Sequence, residues 1–256
     1  MKVAEHFLSI QGEGTHMGTP AVFLRLTGCN LLCGAPSLKK VKDKTNQKEI
    51  DAQQSKKATW TCDTIAKWLQ GDEYNAVSLH KMFLSSGYLK AIKNGAHLVI
   101  TGGEPLLYQN NEELLTFLDW VKTDCNAYIE VETNGTIMPT ENFDRFVDWY
   151  NCSPKLENSG MSKTKRFKPD VLKFIKSKSY CFKFVIYDIG DVQNLKKEYL
   201  TLRFMKNDKN IFLMPACNNR EEHDRISEAV SEICTSEKLK YSPRLQIVLW
   251  NKTVGV

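Results

Sequence analysis

The chain has 256 residues, 42% hydrophobic and 25% charged, with 35 Lys+Arg against 30 Asp+Glu and a formal net charge of +5. That composition describes a globular α/β-sized chain able to fold without covalent staples, and it excludes disordered and fibrous classes. No apolar run approaches the roughly 20 residues of a membrane span, and the opening MKVAEHFLSIQGEG lacks a signal-peptide core, so a cytoplasmic protein with no membrane partner is expected.

In chain order, FLSIQGEG (7–14) reads as a hairpin or turn whose glycines and amide offer a hydrogen-bonding edge to a planar ligand. AVFLRL (21–26) reads as a strand. Residues 34–59 hold few large apolar side chains and read as a long polar loop. Helical period spans 77–93, 112–122, 192–205 and 221–238, with strands at 96–101 (AHLVIT), 127–132 (AYIEVE), 181–187 (CFKFVIY), 210–214 (NIFLM) and 245–250 (LQIVLW). A short helix and then a strand fit 143–152, and 155–178 reads as a second polar, basic segment. Strand–helix alternation implies crossover helices on a mostly parallel sheet. About six strands suit a partial barrel better than a closed eightfold one. A single domain, residues 1–256, is expected, with 34–59 and 155–178 as long polar segments that break the alternation.

Eight cysteines in a chain without an export signal read as thiols. Most are isolated and read as small buried hydrophobes. Cys29 and Cys33, in GCNLLC, and Cys62, in WTCDT, are different. Three loop-borne thiolates can hold a 4Fe–4S cluster and leave one iron open. By spacing alone two surface thiols and an unrelated cysteine fit equally well, as does a three-cysteine zinc site completed by His80 or His97. TGGEP (101–105) ends a buried strand, where parallel folds bind ligands, or it is a tight turn that needs glycine. ETNGT (132–136) and SPK (153–155) end the next two strands and suggest a shared pocket edge. Arg25 interrupts an apolar strand, so it either pairs with a core carboxylate such as Glu13 or faces an acidic ligand.

The order of motifs carries further than any one of them. SIQGEGTHMGTPAVFLRLTGCNLLC, WTCDT, TGGEP, ETNGT, SPK, LMP and PRLQIVLW…VGV together resemble the 7-carboxy-7-deazaguanine synthase family of radical S-adenosylmethionine (SAM) enzymes. The resemblance runs from Phe7 to the C-terminus. GGEP and a cysteine triad occur widely among radical SAM enzymes, whereas QGEG…FxRLxGCN…CDT is much more specific. The family spaces its cysteines Cys-x3-Cys-x2-Cys, but 28 residues separate Cys33 from Cys62, which makes 34–59 an insertion inside the cluster loop. Loop-closure cost grows slowly with length, so the thiolates can still converge.

The resemblance implies a shortened radical SAM barrel, a homodimer, and conversion of 6-carboxy-5,6,7,8-tetrahydropterin to 7-carboxy-7-deazaguanine with loss of ammonia. It implies the 4Fe–4S cluster on Cys29, Cys33 and Cys62. SAM would lie along Thr61, Cys62, Asp63, Gly102, Gly103, Glu104, Glu132, Ser153, Pro154, Lys155 and the strand end Met214, Pro215, Ala216 and Cys217. The pterin would meet Ile10, Gln11, Gly12, Arg25, Thr101 and the C-terminal carboxylate of Val256, and Thr64 matches a Mg²⁺ ligand. Gln246 stands where many relatives have a histidine. Two rivals are another radical SAM reaction, such as a glycyl-radical activase, and a basic nucleic-acid-binding protein with a structural metal. The first leaves QGEG and the C-terminal motif unexplained.

The charge is unevenly placed. Residues 34–59 carry seven lysines against three acids, and 155–178 carry eight basic residues against two acids, leaving a net −5 elsewhere. The surplus therefore belongs to two insertions beside the motifs. This makes nucleic acid an unlikely partner and suggests a solvated face, or a basic rim for an acidic electron donor such as flavodoxin.

Overall fold

The computed structural model describes residues 1–35, 38 and 41–251. Its elements in chain order begin with β1 (Lys2–Ile10), β2 (Pro20–Leu26), α1 (Gln47–Asp51), α2 (Ile65–Trp68), β3 (Asp72–Glu73), α3 (Ala76–Ser85), α4 (Tyr88–Lys93) and β4 (His97–Gly102). There follow α5 (Glu112–Cys125), β5 (Ile129–Thr133), α6 (Glu141–Asp144), β6 (Trp149–Cys152), α7 (Lys163–Arg166), α8 (Pro169–Lys176), β7 (Tyr180–Ile186) and α9 (Ile189–Leu195). The last are β8 (Ile211–Pro215), α10 (Arg220–Glu237), β9 (Lys240–Tyr241) and α11 (Leu245–Trp250). Among the described residues the strands form one sheet in the order β3-β1-β2-β4-β5-β6-β7-β8-β9. β1 runs antiparallel to β2 and β3, whereas β2 and β4 to β9 are mutually parallel. The two-residue edge strands β3 and β9 are not paired with each other, so the barrel stays open.

Strand periodicity places the site. Successive side chains point to opposite faces. On β5, Ile129 and Val131 join the main core with the helices, while Glu130 and Glu132 point the other way. On β7, Phe182, Phe184 and Ile186 join that core, and Lys183 and Val185 face a central cavity. The helices supply the opposing apolar stripe. On α5, Leu114, Phe117, Leu118, Val121 and Cys125 are buried, and the Asn111 side chain caps the first turn by accepting from Leu114 N–H. The helical run at 77–93 is split into α3 and α4 at Gly87, whose φ of 75° suits glycine.

The structure corrects four sequence expectations. The N-terminal segment is a nine-residue strand paired along β2, not a hairpin or turn. LQIVLW is the helix α11, not a strand; the place next to β8 is taken by Lys240–Tyr241, and α11 buries Ile247. A six-residue apolar run fits either element, and here tertiary packing decides. Residues 34–59 are not a bare loop: α1 buries Ile50 with Ala35, Val41, Ile65 and Trp68 in a satellite core. The segment 155–178 contains α7 and α8, and its Arg166 is buried in a two-pronged pair with Glu198, at 2.5 and 3.0 Å.

The ends of the 34–59 insertion close tightly. Cys62 N–H donates to Cys33 O at 3.1 Å, and Gly34, at φ +80°, lies so near that an added Cβ would sit 2.3 Å from Trp60 O and 2.4 Å from Thr61 Cα. Gly34→Ala is therefore expected to destabilise the protein by about 2 kcal/mol or more and to lower its iron retention. Gly18, at φ +89° with nothing within 4 Å of an added Cβ, provides the control for backbone strain alone. Thermal denaturation and iron content of Gly34→Ala and Gly18→Ala check this; equal losses would show that the closure is not tight.

Candidate active site

The C-terminal ends of the parallel strands open on a cavity of about 560 Å³. Cys29, Cys33 and Cys62 all line it. They come from the loop after β2 and the segment before α2, and pack together with Leu31, Trp60 and Met161. Gln47 of α1 clamps that second segment, donating to Cys62 O at 2.9 Å and accepting from Ala66 N–H at 3.1 Å. Around the sulfurs, Leu31 N–H points at Cys29 Sγ (3.4 Å), Asn134 Nδ2 approaches the same sulfur (3.9 Å), and Thr64 Oγ1 is 3.4 Å from Cys62 Sγ. Burial pushes the free Cys29 and Cys33 thiols up to about 12, so loading with metal must displace their protons.

The zinc alternative does not fit. A tetrahedral zinc needs its ligand atoms about 3.3–3.8 Å apart. Among the described residues the sole trio of histidine, cysteine or acidic ligand atoms within 4.8 Å of one another is His16, His97 and Glu130, which contains no cysteine. His97 is bonded to Glu130, and His80 packs edge-on against Trp120. A cubane cluster distributes its thiolates over separate irons and requires no such closeness. The Thr61 hydroxyl and Trp60 Nε1 are buried without a hydrogen-bond partner beside the cysteines, the hydroxyl packed against Gly34 at the closure of the loop.

The same cavity is lined by a network of charged side chains centred on Glu13. Lys183 Nζ binds Glu13 at 2.9 Å and lies 3.8 Å from Glu132; Arg244 binds Glu13 at 3.2 Å and Asp63 at 2.5 Å and also donates to Cys217 O. Gln246 Nε2 adds a third bond to Glu13 at 2.8 Å. Burial alone would push the Glu13 carboxyl up, but Lys183 and Arg244 outweigh it and hold it well below the usual carboxylate range. Burial opposes the Lys183 and Arg244 charges too, and their acidic partners more than compensate. Glu132 also accepts from Thr101 Oγ1 at 2.7 Å.

Most of the residues expected to form the site do line this cavity: Ile10, Gln11, Gly12, Arg25, Thr61, Asp63, Thr64, Thr101, Gly102, Gly103, Glu132, Ser153, Lys155, Met214, Ala216 and Cys217. Glu104, Pro154 and Pro215 do not. The Glu104 carboxylate is fully buried and accepts from Thr133 Oγ1 (2.8 Å) and Asn134 N–H (2.7 Å), so it braces the ETNG turn. The Arg25–Glu13 pairing is corrected: Arg25 Nε donates to Glu5 at 2.7 Å, its cross-strand neighbour on β1. Val256 lies outside the described residues. Lys183, Asn151, Arg244 and Gln47 line the cavity without having been singled out in the sequence. Lys183, an ionic residue interrupting an apolar strand as Arg25 does, carried the same signal.

An open parallel barrel with three thiols gathered at the strand C-termini defines the radical SAM class of enzyme. No family model matches the chain. Individual proteins do: the 7-carboxy-7-deazaguanine synthase of Pyrobaculum aerophilum is 30% identical over all of this chain and 97% of its own length. That of Clostridium acetobutylicum is 30% identical over 98% of this chain and 96% of its own. A crystal structure of QueE from Escherichia coli superposes with a TM-score of 0.59 at 25% identity, over 94% of this chain and 92% of that one. The chain belongs to the 7-carboxy-7-deazaguanine synthase family. Membership sets aside both the glycyl-radical activase and the nucleic-acid-binding readings. Among the described residues no helix is long and apolar enough to cross a membrane.

Proposed function

We propose that the chain converts 6-carboxy-5,6,7,8-tetrahydropterin to 7-carboxy-7-deazaguanine, with Cys29, Cys33 and Cys62 holding a 4Fe–4S cluster. The observation that carries this is the convergence of these thiols on the cavity that Gln11, Gly12, Glu13 and Arg25 also line, despite the 28 residues between Cys33 and Cys62. When bound, cluster and SAM together supply the carbon-centred radical that takes a hydrogen atom from the substrate and starts ring contraction with loss of ammonia. The chain's residues bind, orient and exclude water. Gly102 and Gly103 border SAM with backbone alone, since an added Cβ at either would strike Leu26 O or Gly28 O. Thr61, Asp63, Ser153, Lys155, Met214, Ala216 and Cys217 line the rest of its site, and Glu132 accepts ribose hydroxyls.

The pterin lies on Ile10, Gln11 and Gly12 above Thr101, beside the stacked Phe7–Phe23 pair, whose ring centroids are 5.0 Å apart. Arg25 offers the substrate carboxylate the N–H groups that Glu5 does not occupy. Thr64 contributes one hydroxyl to a Mg²⁺ ion completed by substrate oxygens and water. Anaerobic incubation with SAM, a one-electron reductant and the tetrahydropterin is expected to release ammonia and the deazaguanine in equal amounts. Absence of both would refute the assignment.

The protein acts as a single-domain homodimer, and its electron donor is acidic, of flavodoxin type. The two basic insertions support that donor because they are stitched together at their roots. Gly34 N–H donates to Ser159 O (2.9 Å), Thr59 N–H donates to Asn158 O (2.9 Å), and Ala58 bridges Ser159. Lys42, Lys44, Lys56, Lys57, Lys163, Lys165 and Lys168 are exposed on them. Charge reversal within the 39–44 run, at Lys42 and Lys44, is expected to slow cluster reduction several-fold at low salt and little at high salt. Stopped-flow reduction by flavodoxin measures it, and unchanged kinetics at both salt levels would reject the basic rim.

A further inference from the structure

The end of the sheet opposite the cysteines carries a second constellation, which the proposed reaction does not use. His97 opens β4, Glu130 lies at the second position of β5, and His16 reaches in from the β1–β2 connection. His16 Nδ1 is 2.8 Å and His97 Nδ1 2.5 Å from the same carboxylate oxygen, Glu130 Oε1, and the three ligand atoms lie within 4.8 Å of one another. From these observations we propose that His16, His97 and Glu130 form a binding site for a divalent transition-metal ion, zinc by preference.

The ligand chemistry fits. Two imidazoles and a carboxylate with a free fourth position are a common zinc set, and the order of divalent affinities favours zinc over manganese or iron at nitrogen-rich sites. Zinc–nitrogen and zinc–oxygen bonds of about 2.0–2.2 Å put tetrahedral ligand atoms about 3.3 Å apart, so Glu130 Oε1, which lies 2.8 and 2.5 Å from the two Nδ1 atoms, would part from each by less than about 1 Å to admit the ion. The surroundings are those of a built site. The Glu130 side chain is fully buried, and its other oxygen accepts from Asn151 Nδ2 and from Gln11 Nε2 at 3.4 Å, which fixes the carboxylate plane. His97 packs on Tyr128 (centroids 4.3 Å apart) and His16 on Trp149 (4.6 Å), so both rings are held in place. The imidazoles stay 21% and 17% exposed, enough for an ion to enter and for water to complete the coordination.

The ion would clasp the β1–β2 connection. Gln11 opens that connection, exchanging backbone bonds with Thr19 and Gly18 at 2.8 Å, and its side chain reaches Glu130. A metal joining His16 to β4 and β5 therefore fixes the segment Gln11–Gly12–Glu13 over the cavity. The role is structural and stands whether or not the proposed reaction is right.

The test adds Zn²⁺ alone to anaerobically prepared, cluster-loaded protein, followed by desalting and metal analysis. About one zinc per chain beyond the irons is expected, with a K-edge fine structure of nitrogen and oxygen near 2.0 Å, imidazole backscattering and no sulfur. His16→Gln and His97→Gln should each weaken zinc binding on the order of 100-fold with iron content unchanged. Should a variant fail to fold, the fine structure of the parent decides. No retained zinc, sulfur in the first shell, or undiminished zinc in both folded variants would each overturn the site.

Discussion

Cys62→Ala is expected to lose its cluster iron and all turnover, although Cys62 lies far from Cys29 and Cys33 in the chain. Cys29→Ala and Cys33→Ala should do the same, whereas Cys125→Ala should keep both. The contrast is structural. Cys125 ends α5 and is buried in the main core against other apolar side chains, so it behaves as a small hydrophobe. The other three line one cavity, and Cys62 is brought there by the closure at Gly34 and by the clamp from Gln47. Removing any one thiolate leaves too few protein ligands for a cubane with a single open iron, and the cofactor carries the hard chemistry. Iron content and the visible spectrum of anaerobically prepared variants, read with the turnover assay, check this. An active Cys62→Ala protein with about four irons would mean that another residue supplies the third ligand.

The insertion itself shows what was legible. Its boundaries and charge were plain in the sequence, because GCNLLC and WTCDT keep their form on either side of it. Its packing was not, because three scattered apolar side chains, Ala35, Val41 and Ile50, and one amide, Gln47, do the anchoring, and none stands out in a lysine-rich stretch. Of the parallel strands, β2, β4, β7 and β8 were legible from their apolar runs and β5 from alternation in AYIEVE, whereas the two-residue β9 was not. β1 escaped because Glu5 and His6 interrupt its apolar pattern, yet Glu5 is there to pair with Arg25 directly across the ladder. The run at 245–250 was misread because periodicity cannot sort six apolar-rich residues into strand or helix. As a helix it carries Gln246 to Glu13, and Leu245 N–H donates to Gly12 O at 3.0 Å. The sites on either side of the cavity were thus half legible: glycine and cysteine motifs announce themselves locally, while Lys183, Arg244 and Asn151 acquire meaning only from partners far along the chain.

Glu13→Gln should be the most damaging substitution outside the cluster ligands, costing about 3–5 kcal/mol, or a fall in Tm of about 10 °C. Glu13 is the carboxylate shared by Lys183 and Arg244, whose side chains are 4% and 14% exposed. The amide would leave Lys183 with only Glu132, 3.8 Å away, and Arg244 with only Asp63. A buried cation short of its partner costs far more than the intact pair contributes, because its desolvation is no longer offset. The double variant Glu13→Gln, Lys183→Met should recover part of the loss, since it removes the stranded charge with its partner. Acid sensitivity gives an independent reading. The folded-state pKa of Glu13 is held well below its ordinary 4.5, so its contribution is fully present above that value and is lost progressively as pH falls from there towards the depressed folded-state value. Between about pH 5 and 3 the parent should therefore lose stability more steeply than Glu13→Gln, as seen in denaturant titrations at each pH. Turnover should fall as well, because Glu13 ties the QGEG segment to α11 across the cavity. If Glu13→Gln were as stable as the parent and showed the same acid slope, the buried network would not be what holds the two walls of the site together.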